Sequence, residues 1–268
     1  MTQFGRKPLS GSSMNKFVIS AALIVISATV QAQSRLENIT SSKTLKVCTT
    51  GDYKPYSFLR PDGGYEGIDI AMAESLASSL DAKVEWVPTT WKTLTPDFLA
   101  KQCDIALGGV SVTLKRQLTA WFAQPLGSDG KIPLVRCEDK ARYQTIKQLN
   151  QPAVRLIEPA GGTNEAFVHS HLPAASLTLF HDNVTIFQQL VDKKADVMIT
   201  DASEAQYQAK RYPQLCAVNP DRPMQYGEKG YMLPQNDIGW KLYVDQWLHL
   251  SVATGEYAKI VTQWLGKA

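Results

Sequence analysis

The sequence contains no Gly-x-Ser-x-Gly nucleophile elbow and no zinc motif, so nothing in it points to a hydrolase. It also lacks an apolar run long enough to span a bilayer comfortably. The 14-residue run from Phe17 to Val30 follows Arg6, Lys7 and Lys16 and ends in Val30-Gln31-Ala32, small residues where signal peptidase needs them. A secretory signal over residues 1–32, cut after Ala32, is therefore expected in place of a stable membrane anchor. No cysteine follows the run, so lipoprotein anchoring has no support. Charge of one sign is missing as well. The net +3 resides in the leader, and the remainder carries 25 residues of each sign, which gives no argument for nucleic-acid binding.

Cysteine is scarce: Cys48, Cys103, Cys137 and Cys216. No two lie within four residues of each other and none stands beside His169, His171, His181 or His249, so no metal site is expected. In an exported chain they point to one or two disulfides, with three complete pairings open. Cys48 and Cys103 lie in or beside apolar strand-like runs, where a buried free thiol is common. Cys137 and Cys216 lie in polar stretches that a bridge could tie together. The expectation is one bridge, Cys137–Cys216, and about two free thiols.

What is present is a globular chain of 268 residues, 44% apolar, able to bury one large core or two modest ones. Leu45–Thr49 reads as a strand, Ile68, Met72, Leu76 and Leu80 as one face of a helix, and Lys83–Val87 as a second strand: a βαβ unit. A helix over Pro96–Gln102 then leads through Cys103-Asp104 into a strand at Ile105–Leu107. The same order of helix, lysine turn, aspartate and strand returns about ninety residues later, at Gln189–Val197, which suggests two lobes of similar build. Helices over Ile238–Leu250 and around Tyr257–Leu265 close the chain.

Between the two units stands Gly161-Gly162-Thr163-Asn164-Glu165, after a strand-like run (Ala153–Ile157) and before a helix-like one (Glu165–His171). A glycine-rich turn into a helix start exposes backbone N–H groups where an anion can be held. The same residues also suit a plain tight turn. Parallel sheets gather ligands at their carboxyl ends, which here carry Tyr53, Trp91 and Gly109–Arg116 in one unit, and Gly162–Glu165 and Thr200-Asp201 in the other.

Asp52-Tyr53-Lys54-Pro55-Tyr56, the Ser-x-Thr-x-x-Arg pattern at Ser111–Arg116, Gly161–Glu165 and Thr200-Asp201 resemble, in order and spacing, the amino-acid-type periplasmic solute-binding proteins over about residues 35–265. Within that superfamily the second half is similar to the cyclohexadienyl dehydratases, through Gly161–Glu165, Asp182–Gln189, Leu215–Val218 and Tyr243–His249. The resemblance implies an α/β, two-lobed periplasmic binding protein-like fold of type II, with a ligand cleft between the lobes. Residues 33–128 and 227–268 would form one lobe and 129–226 the other, with crossings near 127–134 and 216–226. Leu126-Gly127-Ser128 departs from the pattern, being smaller than the aromatic segment expected before the hinge.

The resemblance further implies the decarboxylating dehydration of prephenate to phenylpyruvate and of arogenate to phenylalanine, without cofactor. The alternative is a non-catalytic amino-acid-binding protein of a transporter, to which Arg116 and Asp201 would be suited. Arg116 would fork onto the side-chain carboxylate, with Ser111, Thr113, Gly162, Thr163 and Asn164 completing that subsite. Asp201 would receive an ammonium group, or would merely cap the helix that follows. Lys92 or Lys131 would meet the ring carboxylate, unless both are solvated surface. Tyr53 and Trp91 would stack on the ring. Glu165 would be the general acid, which requires burial against apolar walls to hold its proton near neutrality. The sequence leaves the oligomeric state open.

Overall fold

The computed structural model describes residues 1–2, 5 and 34–266, so the apolar run and cleavage site of the expected leader lie outside the described residues. Two sheets organise residues 34–266. The first has the order Lys83–Pro88, Thr44–Thr49, Ile105–Ala106, Met232–Leu233, Trp121–Phe122, in which Met232–Leu233 runs antiparallel to both its neighbours and the other four strands share one direction. The second has the order Ser176–Phe180, Arg155–Pro159, Val197–Asp201, Ser128–Arg136, Leu215–Ala217, and Gln225–Glu228 also pairs with Ser128–Arg136. The βαβ reading of the first unit is found as a helix over Ile68–Ser79 between parallel strands at Thr44–Thr49 and Lys83–Pro88.

The periodic apolar positions explain the packing. Met72, Ala73 and Leu76 turn one helix face onto Leu45 and Val47 of the first sheet, where Trp240, Val244 and Leu248 of the helix Ile238–Ala253 join them. In the second unit Ile186, Phe187 and Leu190 pack on Ile132, Leu134 and Met198 on one side of the sheet, while Phe167 and Val168 pack on Val135, Leu156 and Ile199 on the other. Alternate residues of Ser128–Arg136 and of Val197–Asp201 thus face opposite layers, as strand geometry requires.

The chain passes from the first sheet to the second through Ala123–Gly127 and returns through Lys229–Tyr231. These two passages are bonded to each other, Ala123 N–H to Tyr231 C=O at 2.9 Å and Leu126 N–H to Lys229 C=O at 3.0 Å.

The cysteine expectation is half right. Cys137 and Cys216 are joined, with Cα atoms 4.9 Å apart, but Cys48 and Cys103 are also joined, at 5.6 Å, and no cysteine is free. Both members of the second bridge are buried as their apolar setting implied. The expectation of free thiols failed because Cys48 pairs across the parallel ladder with Ala106, three residues beyond Cys103. That ladder brings together two sulfurs separated by 55 residues of sequence.

Candidate active site

The centre of the site is written in strand register. In the antiparallel ladder between Ser128–Arg136 and Val197–Asp201, Lys131 lies directly opposite Asp201. Its Nζ stands 2.8 Å from Asp201 Oδ1 and also donates to Thr163 Oγ1 at 2.9 Å and Asn164 Oδ1 at 2.5 Å. Lys229, from the returning passage, pairs with the other carboxylate oxygen, Oδ2, and the Tyr53 hydroxyl donates to that same atom at 2.7 Å. Burial alone would push the Asp201 carboxyl up, but the two ammonium groups outweigh it and hold the carboxyl well below the usual carboxylate range. Burial pulls Lys131 down from its ordinary value, against the opposing pull of Asp201.

Asp201 is also the residue at the start of the helix Ala202–Arg211, yet its side chain makes no capping bond. Its oxygens are committed to the lysines and Tyr53.

The glycine-rich turn forms as the sequence suggests, with Gly162 at the N-cap of the helix Thr163–His171. Gly161 has φ +90°, and a Cβ there would lie 2.7–2.8 Å from Cβ, Cα and N of Lys92 on the facing unit, so the close approach of the two units requires glycine. Glu165 reaches back to accept from Gly161 N–H and lies 3.4 Å from His169 Nε2, its side chain 21% exposed.

From the first unit, Thr113 Oγ1 caps the short helix Leu114–Gln117 by accepting from Arg116 N–H at 3.1 Å. Arg116 Nη1 then donates to Ser111 C=O at 2.7 Å. Burial depresses the guanidinium from its ordinary value, partly offset by Asp201. Ser111 Oγ lies 3.3 Å from Lys229 Nζ and 3.5 Å from Thr163 Oγ1. Tyr53 and Trp91 meet edge to face, 5.3 Å between centroids.

These groups divide between two connected spaces. A narrow inner cavity of about 20 Å³ is lined by Tyr53, Trp91, Ser111, Gly162, Thr163, Asn164 and Asp201, among others. A wider cleft of about 900 Å³, open to solvent, is lined by Lys92, Thr113, Arg116, Glu165 and His169, and shares Trp91, Gly162 and Thr163 with the inner cavity. Of the two lysine candidates, Lys131 is buried in the inner constellation and Lys92 is exposed at the cleft wall.

Lys229 was missed by sequence reasoning. It stands in Gly227-Glu228-Lys229-Gly230, which carries no periodicity or motif, and only the return passage between the sheets brings it to Asp201. Two buried acids behind the site were missed as well. Glu204 is pushed up to about 8 by burial, although the Thr200 hydroxyl donates to it. Burial holds Glu158 well above the ordinary range, although it accepts from Ile199 N–H at 2.6 Å. Among the described residues no group of three or more His, Cys, Asp or Glu is placed to hold a metal ion.

Two α/β units with their charged and aromatic groups gathered around a shared cleft define a two-lobed solute-receptor fold. Residues 45–267 match the bacterial extracellular solute-binding proteins, family 3, and the chain belongs to that family. Within it, the chain is 47% identical over 248 residues to a cyclohexadienyl dehydratase of Pseudomonas aeruginosa, a match covering 92% of each chain. The L-cystine-binding protein TcyJ of Escherichia coli is 24% identical over 205 residues, 75% of this chain and 73% of its own. Among solved structures, an ancestral amino acid-binding protein described as a precursor of cyclohexadienyl dehydratase superposes with TM-score 0.80 at 32% identity, covering 87% of this chain and all of its own. An ancestral cyclohexadienyl dehydratase shares 49% identity with TM-score 0.56, covering 88% of this chain and 98% of its own.

Proposed function

We propose that this chain is a cyclohexadienyl dehydratase that acts in the periplasm, converting prephenate to phenylpyruvate, and arogenate to phenylalanine, with release of carbon dioxide and water. The observation that carries the reading is the charge balance around the inner cavity. Three cationic groups, Arg116, Lys131 and Lys229, stand around Asp201 where the inner cavity meets the wider cleft, an arrangement that suits a substrate with two carboxylates. The 47% identity to the Pseudomonas aeruginosa dehydratase supports the same assignment.

The chemistry requires one proton to be delivered. Protonation of the ring hydroxyl lets it leave as water; the bond from the ring to its carboxylate breaks, that electron pair enters the ring, and carbon dioxide departs as the ring becomes aromatic. Arg116 forks onto the side-chain carboxylate, assisted by Ser111, Gly162 and Thr163, while Lys131, held by Asp201, Thr163 and Asn164, faces the second. Tyr53 and Trp91 flank the ring. Glu165 supplies the proton from the cleft side of the Gly162–Thr163 edge; its side chain is 21% exposed there, so the burial this role requires has to come from the substrate that covers it.

The purified protein mixed with prephenate near neutral pH, with nothing added, is expected to form phenylpyruvate, followed by its ultraviolet absorbance. No product, together with tight binding of an amino acid, would assign the chain to transport instead.

A further inference from the structure

We propose that Lys229 is a specificity-determining residue: by filling Asp201 it removes the acceptor that an α-ammonium group would need, and so biases the site toward 2-oxo acids over 2-amino acids. The two ligand types differ in one respect that matters here. An ammonium brings a positive charge and three N–H donors, so it needs acceptors and is best served by a carboxylate; a 2-oxo group brings only an acceptor. Asp201 is the acid that lines the inner cavity. Its Oδ1 is held by Lys131 at 2.8 Å, and its Oδ2 by both Lys229 and the Tyr53 hydroxyl.

All four residues are about 4% exposed, so neither ammonium group can turn out to solvent without moving the wall of the cavity. An incoming α-ammonium must therefore displace a lysine, leaving a buried charge without its partner, or add a third cation beside two.

Of the two lysines, Lys229 is the one that can be removed without dismantling the site. Lys131 is fixed opposite Asp201 by the ladder and holds Thr163 and Asn164 as well. Lys229 comes from the return passage; its remaining hydrogen-bonding contacts, Ser111 Oγ at 3.3 Å and Tyr53 Oη at 3.4 Å, are long, and it otherwise lies over the Tyr53 and Tyr56 rings at 4.9 and 5.7 Å from their centroids. Taking away its ammonium leaves a neutral Asp201–Lys131 pair, with Oδ2 open on the side where Lys229 stood.

This inference rests on the dehydratase reading for its substrates, but its test does not need turnover. Phenylpyruvate and L-phenylalanine differ only in the oxo and ammonium groups, and their dissociation constants are to be measured by calorimetry on the parent, Lys229→Met and Lys229→Arg. The parent is expected to favour phenylpyruvate. Lys229→Met is expected to move the ratio toward L-phenylalanine by about ten- to hundredfold, and Lys229→Arg to keep the parent's order. The ratio of kcat/KM for arogenate over prephenate should move in the same direction.

An equal change for both ligands in Lys229→Met would overturn the specificity role and leave Lys229 as a structural partner of Asp201. Should that variant not fold, Asp201→Asn decides: similar losses for both ligands support the proposal, whereas a selective loss of L-phenylalanine overturns it by making Asp201 the ammonium receptor in the parent. A shifted ratio in a protein that does not turn over prephenate would overturn the dehydratase reading alone.

Discussion

In the first sheet Asp104 stands just before the strand Ile105–Ala106 and accepts from Lys46 N–H of the neighbouring strand at 3.0 Å. In the second, Asp196 stands just before Val197–Asp201 and accepts from Arg155 N–H at 3.1 Å. A lysine in left-handed conformation precedes each, Lys101 at φ 61° and Lys193 at φ 60°. The backbone device is the same and the electrostatics are opposite. Asp104 has Arg35 at 3.6 Å, and burial pushes its carboxyl up despite the Lys46 N–H. Asp196 also meets burial, but the guanidiniums of Arg155 at 2.7 Å and Arg136 at 3.1 Å outweigh it and hold the carboxyl down at about 2. A repeated fold unit therefore fixes where a carboxylate stands, and the side chains brought beside it fix its charge.

The same contrast holds at the other ends of these strands. The first unit ends in Gly108-Gly109, whose N–H groups grip Asp69; the second ends in Thr200-Asp201, inside the site. If the second unit carries the proton and the first chiefly the anion, Glu165→Gln should lower kcat by about 10²–10⁴-fold while substrate affinity changes little. Full activity in that variant would take Glu165 out of its role. Arg116→Ala should weaken substrate binding by about 2–5 kcal/mol with the fold intact, measured by titration calorimetry and circular dichroism. Unchanged binding would put the ligand elsewhere.

The paired aspartates offer a stability test. Asp196→Asn should cost about 1–3 kcal/mol near neutral pH, more than Asp104→Asn, because it strips a charged acceptor from two guanidiniums. A carboxyl held below its ordinary value stabilises the fold above that value, so the Asp196→Asn deficit should fade as pH falls from about 4 toward 2. Equal costs at neutral pH would remove the distinction between the lobes. A pH dependence of opposite sign concerns Glu204, whose folded value of about 8 lies above the ordinary 4.5. The folded state then keeps a proton the unfolded chain loses, so stability drains away as pH rises through that interval. Glu204→Gln should lose less stability than the parent between about pH 5 and pH 8 in denaturant titrations, and parallel curves would contradict this.

Much of the frame was legible because it is periodic. Met72 and Leu76, or Ile186 and Leu190, announce their helix faces, and the lysine-aspartate turn announces itself by recurring. The glycine-rich turn and Arg116 were legible because they are local patterns. Lys229 and the Cys48–Cys103 bridge were not, since each depends on which strand lies beside which, and a crossover hides that from any window of sequence. Lys131 was legible only as one of two candidates beside Lys92, until the ladder set it opposite Asp201.

That ladder has an evolutionary reading. Because Lys131 and Asp201 are cross-strand partners, their meeting is guaranteed by backbone pairing and needs no loop to be shaped for it. Ligand choice in such a lineage can change by exchanging side chains on a ladder that stays still. The recruit from outside the ladder, Lys229, is then the position at which a receptor for one kind of metabolite could be converted into a site for another with a single codon.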